Sequence, residues 1–281
     1  ITRYRKSLTE ERCREVNRLQ KILEGANIKL DSVVKDITGK SARKLLQRII
    51  DDDIPDSEEV SKLVHGRMRP KLDQIVASIE GITTPLQRKL LAQIIDHIDD
   101  LNRRIGELDK LVQEYMTEYE AAIEAIDEIP GIARRSAEVI LAEIGLDMGR
   151  FPSAAHLCSW AGVCPGNYQS AGRRKHGKTT KGNSALKTIL TQCAKSARTA
   201  KNSYFSAQYQ RIAARRGKNR ATLAVAHSIL IAIYHILKNK TAFQDLGSDY
   251  YDSFNRDRKI NSYLKRLKAL GWEPDAIPSS A

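Results

Sequence analysis

A chain of 281 residues with 41% hydrophobic content is long enough to bury a real core, and it predicts a globular protein of two domains. Its isoelectric point near 9.6 favours a nucleic-acid partner over an acidic small substrate. A basic membrane-binding surface would need an amphipathic helix with aromatic side chains opposite its lysines, and the sequence offers no good one, so no membrane partner is expected.

The positive charge is confined to one block. Residues 148–244 contain no Asp or Glu and carry 17 Lys and Arg, whereas the other 184 residues hold 30 basic and 34 acidic side chains. A surface without carboxylates suits a polyanion, because each acid would repel a phosphate. Two-metal phosphoryl transfer normally uses carboxylates to hold its ions. Phosphodiester chemistry within this block would therefore use a hydroxyl nucleophile, and no metal site is predicted in the chain.

The cysteines are few and scattered, at Cys13, Cys158, Cys164 and Cys193. They show no paired spacing, which suits a reducing compartment and small buried thiols. A zinc site at Cys158, Cys164 and His156 is the alternative, although the C-x-x-C spacing typical of zinc ligands is missing. No signal peptide is visible, and the chain begins at Ile1 without an initiator Met, which we interpret as the middle of a longer protein.

The first part of the chain predicts a series of helices. Ser7 and Glu10 have capping-box spacing, so a helix is expected over residues 8–24, with Gly25 ending it. Further helices are predicted at residues 41–50, 57–64 and 70–79 from the spacing of their apolar residues.

A long helix follows, with apolar residues in steps of three and four: Leu91, Ile94, Ile98, Leu101, Ile105, Leu108, Val112, Tyr115 and Tyr119. This a/d pattern predicts a coiled-coil seam of about four heptads. The pattern does not decide whether the seam packs against a second subunit or against helices of its own chain.

Residues 123–145 predict two helices joined by a tight turn at Pro130 and Gly131. This arrangement resembles a helix-hairpin-helix, in which the turn offers backbone amides to a DNA phosphate. Ala133 stands where that motif usually has a second glycine. A purely structural hairpin is therefore the alternative to phosphate binding at Gly131.

Helices are next predicted at residues 154–160, 183–199, 204–214, 221–237 and 256–270. The apolar stretch at 221–237 is interrupted by His227, Ser228 and His235 and is too short to span a membrane. It predicts a buried helix.

Between two of these helices lies a loop rich in glycine and cations, residues 162–182. Its lone serine, Ser170, is followed within eleven positions by six candidate phosphate-binding residues: Arg173, Arg174, Lys175, His176, Lys178 and Lys181. A serine hydroxyl is a weak nucleophile that needs a base and charge stabilisation, and arginines supply the latter to a phosphoryl group. From spacing alone, a basic loop that only grips backbone phosphate is the alternative.

The motifs taken together are similar to those of a known family. They include residues 129–131, 142–145, 150–154, 160–162, 165–172 and 226–230, together with residues 25–30 near the start. The chain resembles bacterial insertion-sequence transposases of the one-ten family, which act as bridge-RNA-guided DNA recombinases. The resemblance runs along essentially the whole chain in order.

The resemblance implies a fold and an activity. It predicts a mainly α protein, with a helical linker and coiled-coil region at 1–120 and an α-helical transposase domain at 121–281 containing the helix-hairpin-helix-like element. Ser170 would be the catalytic serine that links covalently to DNA. The family's other catalytic half is a RuvC-like domain whose four acids (DEDD) bind Mg²⁺, expected before Ile1, so this chain needs no cofactor of its own. Residues 1–281 are accordingly expected to bind nucleic acid without recombining it.

The sequence leaves three hypotheses about function open. The first is the C-terminal portion of a serine-dependent transposase in the bacterial cytoplasm, with DNA and a guide RNA as partners and a homodimer or tetramer as the assembly. The second is a non-catalytic helical remnant that binds nucleic acid. The third is a coiled-coil assembly protein whose basic patch serves RNA.

Overall fold

The computed structural model describes residues 1–165, 169–170, 173–174, 179–253 and 256–271, except for the side chains of residues 169–170, 173–174, 252 and 257–259. The chain divides into two compact units, Ile1–Tyr115 and Met116–Ala281. Within the described ranges every element longer than two residues is helical, which confirms the predicted mainly α fold class.

The first unit consists of helices joined by short connections: α1 (Thr2–Gly25), α2 (Leu30–Val33), α3 (Lys40–Ile50), α4 (Ser57–Leu63), α5 (Leu72–Ser78) and α6 (Pro85–Tyr115), with a 3₁₀ segment at Gly66–Lys71. Helix α3 shows why these segments fold, since Leu45, Leu46 and Ile49 share one face and are fully buried. Burial of such a stripe is what stabilises helices this short.

Helix α1 begins earlier than predicted, at Thr2 instead of Leu8. Ser7 lies inside the helix, where its hydroxyl donates to the carbonyl of Tyr4 at 2.7 Å. The predicted capping box at Ser7 and Glu10 is therefore wrong, because an N-cap residue must stand outside the helical conformation.

Helices α1 and α6 pack against each other in antiparallel directions. Arg5 near the start of α1 is ion-paired with Asp109 near the end of α6, and Arg12 Nε donates to Asn102 Oδ1 at 2.6 Å. Five members of the predicted seam are buried: Leu91, Ile94, Ile98, Leu101 and Val112. Its last two members depart from the prediction, because Tyr115 is exposed and Tyr119 lies in a 3₁₀ turn after the end of α6. The coiled coil itself stays a prediction, and so does the choice between a second subunit and helices of the same chain as its partner.

The second unit contains α7 (Glu120–Asp127), α8 (Arg134–Ile144), α9 (Ala154–Ala161), β1 (Gln169–Ser170), β2 (Arg173–Arg174), α10 (Ser184–Ala197), α11 (Tyr204–Arg216), α12 (Lys218–Asn239), α13 (Tyr250–Ser253) and α14 (Arg256–Ala269), with 3₁₀ turns at Thr117–Tyr119 and Met148–Arg150. Helix α12 packs against α9, α10 and α11. It is the core helix of this unit.

Helix α12 is longer than the apolar stretch that predicted it. At 22 residues it is long and apolar enough to cross a membrane by length and composition, so the expectation that it is too short is wrong. Half of its most apolar window is nevertheless buried within the unit, including Val225, Ile229 and Ile233 at zero exposure. This burial supports the prediction of a core helix. His227 is partly buried, whereas His235 is exposed.

Candidate nucleic-acid interface

The glycine- and cation-rich loop contains an antiparallel β-ribbon. Strands β1 and β2 pair in a register that sets Gln169 opposite Arg174 and Ser170 opposite Arg173, with only residues 171 and 172 between the strands. Farther from this end, Pro165 forms an antiparallel bridge with Thr179. Ser170 is therefore at the rung next to the connection between the strands, directly across from an arginine.

Two glycines hold the two ends of this loop together. Gly162 ends α9 with a φ of +73°, and the amide of Asn183 donates to the carbonyl of Trp160 at 3.1 Å. A Cβ atom on Gly182 would lie 2.4 Å from the amide nitrogen of Gly162, closer than real Cβ atoms approach. The backbones cross here at a distance that only glycine permits.

Asn183 fixes this crossing to the helices behind it. Its Oδ1 accepts hydrogen bonds from the amides of Ala185 and Leu186, each at 3.1 Å, and so caps α10. Its Nδ2 donates to Glu143 Oε2 of α8 at 2.6 Å. A single side chain therefore ties the end of the loop to α8 and α10. On the same side, the Lys187 ammonium of α10 donates to the hydroxyl of Thr179.

We expect Asn183→Ala to lower the free energy of unfolding of the second unit by about 2.5 kcal/mol. The change removes a helix cap, worth about 1 kcal/mol, and a hydrogen bond to a carboxylate, worth about 1.5 kcal/mol or more. Asn183→Ser is the matched variant, because it keeps a capping hydroxyl but cannot reach Glu143, and its loss should be smaller. Urea unfolding followed by tryptophan fluorescence measures both, since Trp160 lies in α9 of the second unit. Equal losses in the two variants would show that the cap contributes nothing, and no loss in Asn183→Ser would show that the bond to Glu143 contributes nothing.

The residues proposed from the sequence fall into three groups. Ser170, Arg173 and Arg174 lie on the ribbon strands, with their side chains outside the described part. Lys175, His176 and Lys178 lie outside the described residues altogether. Lys181 is exposed beside the glycine crossing. The backbone therefore brings Ser170 and the two arginines together on one ribbon, while the roles of all these residues stay predictions.

Gly131 lies in the predicted turn between α7 and α8, but its surroundings give it a packing role. Its φ is +90°, and a Cβ atom there would lie 2.4 Å from the amide nitrogen of Ala197 and 2.5 Å from the carbonyl oxygen of Cys193. The turn thus packs directly on the backbone of α10. That contact accounts for the glycine without a ligand, and phosphate binding at Gly131 stays a prediction.

The cysteines of the second unit have the environment of structural thiols. Cys158 and Cys193 are buried. Loss of solvation raises the pKa of the Cys158 thiol to about 12, with a smaller contribution from the neighbouring Cys164. Such thiols are protonated at neutral pH, unlike reactive or metal-binding cysteines. Among the residues that the structure describes, no group of three His, Cys, Asp or Glu side chains is placed to hold a metal ion.

Sequence reasoning missed the connection between Asn183 and Glu143. The asparagine could have been found as a helix cap, since it directly precedes the apolar pattern of α10. No local signal marks Glu143, because the two residues are 40 positions apart and only the fold brings them together.

The ribbon and the helices that hold it lie in a segment that is similar to known transposases. Residues 123–210, which include α8, the ribbon and α10, match the family model described as "Transposase IS116/IS110/IS902 family". The resemblance to the one-ten transposases is thus confirmed for this segment.

One curated relative extends the similarity beyond that domain. The "Insertion element IS110 uncharacterized 43.6 kDa protein" of Streptomyces coelicolor is 27% identical over 216 residues, covering 74% of this chain and 47% of the relative. The chain thus spans about half the length of the curated relative that it matches.

Proposed function

We propose that this chain is the serine-bearing portion of a DNA transposase that exchanges strands through a covalent serine–DNA link, with Ser170 as the nucleophile. One observation carries the proposal. Ser170 lies in the segment that matches the transposase family, on a paired ribbon within a loop whose two ends are held together by the glycine crossing and by Asn183. A nucleophile must be held in a defined geometry, and strand pairing within a loop of fixed ends favours one.

The chemistry exchanges one phosphoester for another. The Ser170 hydroxyl loses its proton, its oxygen bonds to phosphorus, and the bond from phosphorus to one deoxyribose oxygen breaks as that oxygen takes up a proton. Negative charge builds on the phosphoryl oxygens, and Arg173, at the same rung as Ser170, and Arg174 are proposed to balance it. His176 is the candidate proton carrier, while Lys175, Lys178 and Lys181 would hold the flanking phosphates.

The partners follow from the family and from the charge. Duplex DNA is the proposed substrate, a guide RNA and further copies of the chain are proposed partners, and the expected location is the bacterial cytoplasm. The family's four Mg²⁺-binding acids belong to its other catalytic half. Magnesium is therefore proposed for that half.

Covalent capture of DNA tests this proposal. Labelled duplex DNA that carries one end of the insertion sequence is incubated with the protein and Mg²⁺. The mixture is then denatured, and the covalent protein–DNA adduct is measured on a gel. We expect an adduct when residues 1–281 are joined to the four-acid domain of the family, and none with residues 1–281 alone. An adduct formed by residues 1–281 alone would contradict the need for a second domain. Absence of any adduct from the joined protein would favour the non-catalytic binding protein.

A further inference from the structure

A second concentration of positive charge lies away from the ribbon in sequence, where α11 ends and α12 begins. Four cations fall within six residues, and all four are exposed: Arg215, Arg216, Lys218 and Arg220. We call residues 215–220 the basic corner. Nothing in the proposed strand-exchange chemistry uses it.

The corner is held by the packing of two long helices. Helices α11 and α12 lie against each other, and Gln208 Nε2 donates to Ser228 Oγ at 2.9 Å between them. Phe205 and Tyr209 of α11 are buried. Gly217 makes the reversal with a φ of +84°, and the space in front of it is open. The cations therefore project from a supported turn with free access.

Helix electrostatics do not explain these cations. Arg215 and Arg216 stand in the last turn of α11, where the helix dipole favours positive charge, but Lys218 stands at the start of α12, where the dipole opposes it. Repulsion among neighbouring cations adds to that cost. A cluster that costs folding free energy and faces solvent is typical of a binding surface.

Contacts of Arg215, Arg216 and Lys218 within the chain do not offset this electrostatic repulsion either. Arg215 Nε donates weakly to the carbonyl of Arg211 at 3.4 Å. The side chains of Arg216 and Lys218 form no hydrogen bond or ion pair with the described part of the chain. The corner also lies inside the 97 residues that contain no Asp or Glu. The Arg216 guanidinium and the Lys218 ammonium are therefore available to an external anion.

The chemistry of the corner identifies the kind of anion. Surfaces that bind single strands combine cations with aromatic side chains on which unpaired bases stack. Residues 211–220 contain no aromatic residue. The Tyr251 ring faces Arg211, one turn before the corner, but it is partly buried and already stacked on Tyr204. The corner itself therefore offers charge without aromatic side chains for stacking. Closely spaced cations of this kind match the regular phosphates of a duplex backbone.

We propose that the basic corner binds the phosphate backbone of duplex DNA, as a contact separate from the ribbon that carries Ser170. This proposal rests on the proposed function, since it assigns a second contact to the same DNA substrate. The corner adds affinity without reading sequence, because backbone contacts carry no base information.

The test compares two triple variants of residues 1–281 with equal loss of charge. The first carries Arg215→Gln, Arg216→Gln and Lys218→Gln. The control carries Lys195→Gln, Lys201→Gln and Lys240→Gln, three exposed cations of the same acid-free stretch. Fluorescence anisotropy with a random-sequence 30-base-pair duplex measures affinity at several salt concentrations. The slope of log affinity against log salt then counts the phosphate contacts, at about 0.9 per contact.

We expect the corner variant to bind duplex about tenfold or more weakly, with a salt slope shallower by about 2 to 3. The control slope should change by less than about 1. A charge-retaining variant with Arg215→Lys, Arg216→Lys and Lys218→Arg should keep the original slope, which separates charge from folding. Equal slopes in the corner and control variants would overturn the proposal while leaving the proposed function standing.

Two further outcomes would also overturn it. If the corner variant loses affinity for a 30-nucleotide single-stranded RNA but not for the duplex, the surface belongs to RNA. If unaltered residues 1–281 show no salt-dependent affinity for the duplex, DNA binding by this chain fails, and the corner proposal fails with it. The covalent-capture assay reports on Ser170 independently of both results.

Discussion

Replacement of Ser170 by alanine is expected to abolish the covalent protein–DNA adduct while leaving DNA affinity within about twofold of its original value. The change removes one oxygen, and with it the atom that would bond to phosphorus. Loss of a nucleophile typically lowers the rate of a reaction by about 10³-fold or more. The charge on the ribbon is unchanged, so phosphate binding should persist. Denaturing gels measure the adduct formed by residues 1–281 joined to the four-acid domain, and fluorescence anisotropy measures DNA affinity.

Ser153 supplies the matched control. Its hydroxyl lies 2.8 Å from His156 Nδ1, a serine–histidine contact of the kind that activates nucleophiles. The contact has a local explanation, because Ser153 is the N-cap residue immediately before α9, and His156 lies three residues later in its first turn. Ser153→Ala should therefore retain the adduct. An adduct that persists in Ser170→Ala and disappears in Ser153→Ala would show that the nucleophile is Ser153 and not Ser170.

Helices of this protein could be predicted from the sequence because burial repeats along them. The predicted seam of α6 and the apolar face of α3 both place buried residues at helical spacing, and α3 forms where that spacing predicts. Helix α6 also forms there but ends at Tyr115, before the last predicted seam residue, Tyr119. Their ends were less predictable. The polar residues at Ser7 and Glu10 have the spacing of a cap, yet α1 begins six residues before Leu8. The Ser7 hydroxyl donates to the carbonyl of Tyr4 within the helix instead of capping it.

The ribbon could not be predicted in the same way. Strands of two residues are too short to show an alternating pattern, and the Gly-rich composition around Ser170 predicts only a loop. What anchors the ribbon is also non-local. The close approach of Gly162 and Gly182 joins residues 20 positions apart, and the bond from Asn183 to Glu143 spans 40. The sequence could identify the residue types of the site but not the contacts that hold them.

Replacement of Gly131 by alanine distinguishes a packing role of this glycine from a phosphate-binding role. Gly131→Ala is expected to lower the free energy of unfolding of the second unit by about 3 kcal/mol. A left-handed backbone costs a non-glycine residue about 1 kcal/mol or more, and the new Cβ must displace the backbone of α10, which adds about 1 to 3 kcal/mol. Gly217→Ala is the matched control. Its φ of +84° is nearly the same, but a Cβ atom there meets nothing within 4 Å, so about 1 kcal/mol is expected.

Urea unfolding followed by tryptophan fluorescence measures the difference between these variants, because both glycines and Trp160 belong to the second unit. Packing on α10 predicts that Gly131→Ala is much the less stable of the two, and that its folded fraction binds duplex DNA with unaltered affinity. A phosphate-binding turn predicts the reverse, with stability no lower than in Gly217→Ala and a tenfold or greater loss of DNA affinity. The α10 backbone atoms within 2.5 Å of the missing Cβ favour the first result, since backbone cannot move aside without shifting the helix that Asn183 caps.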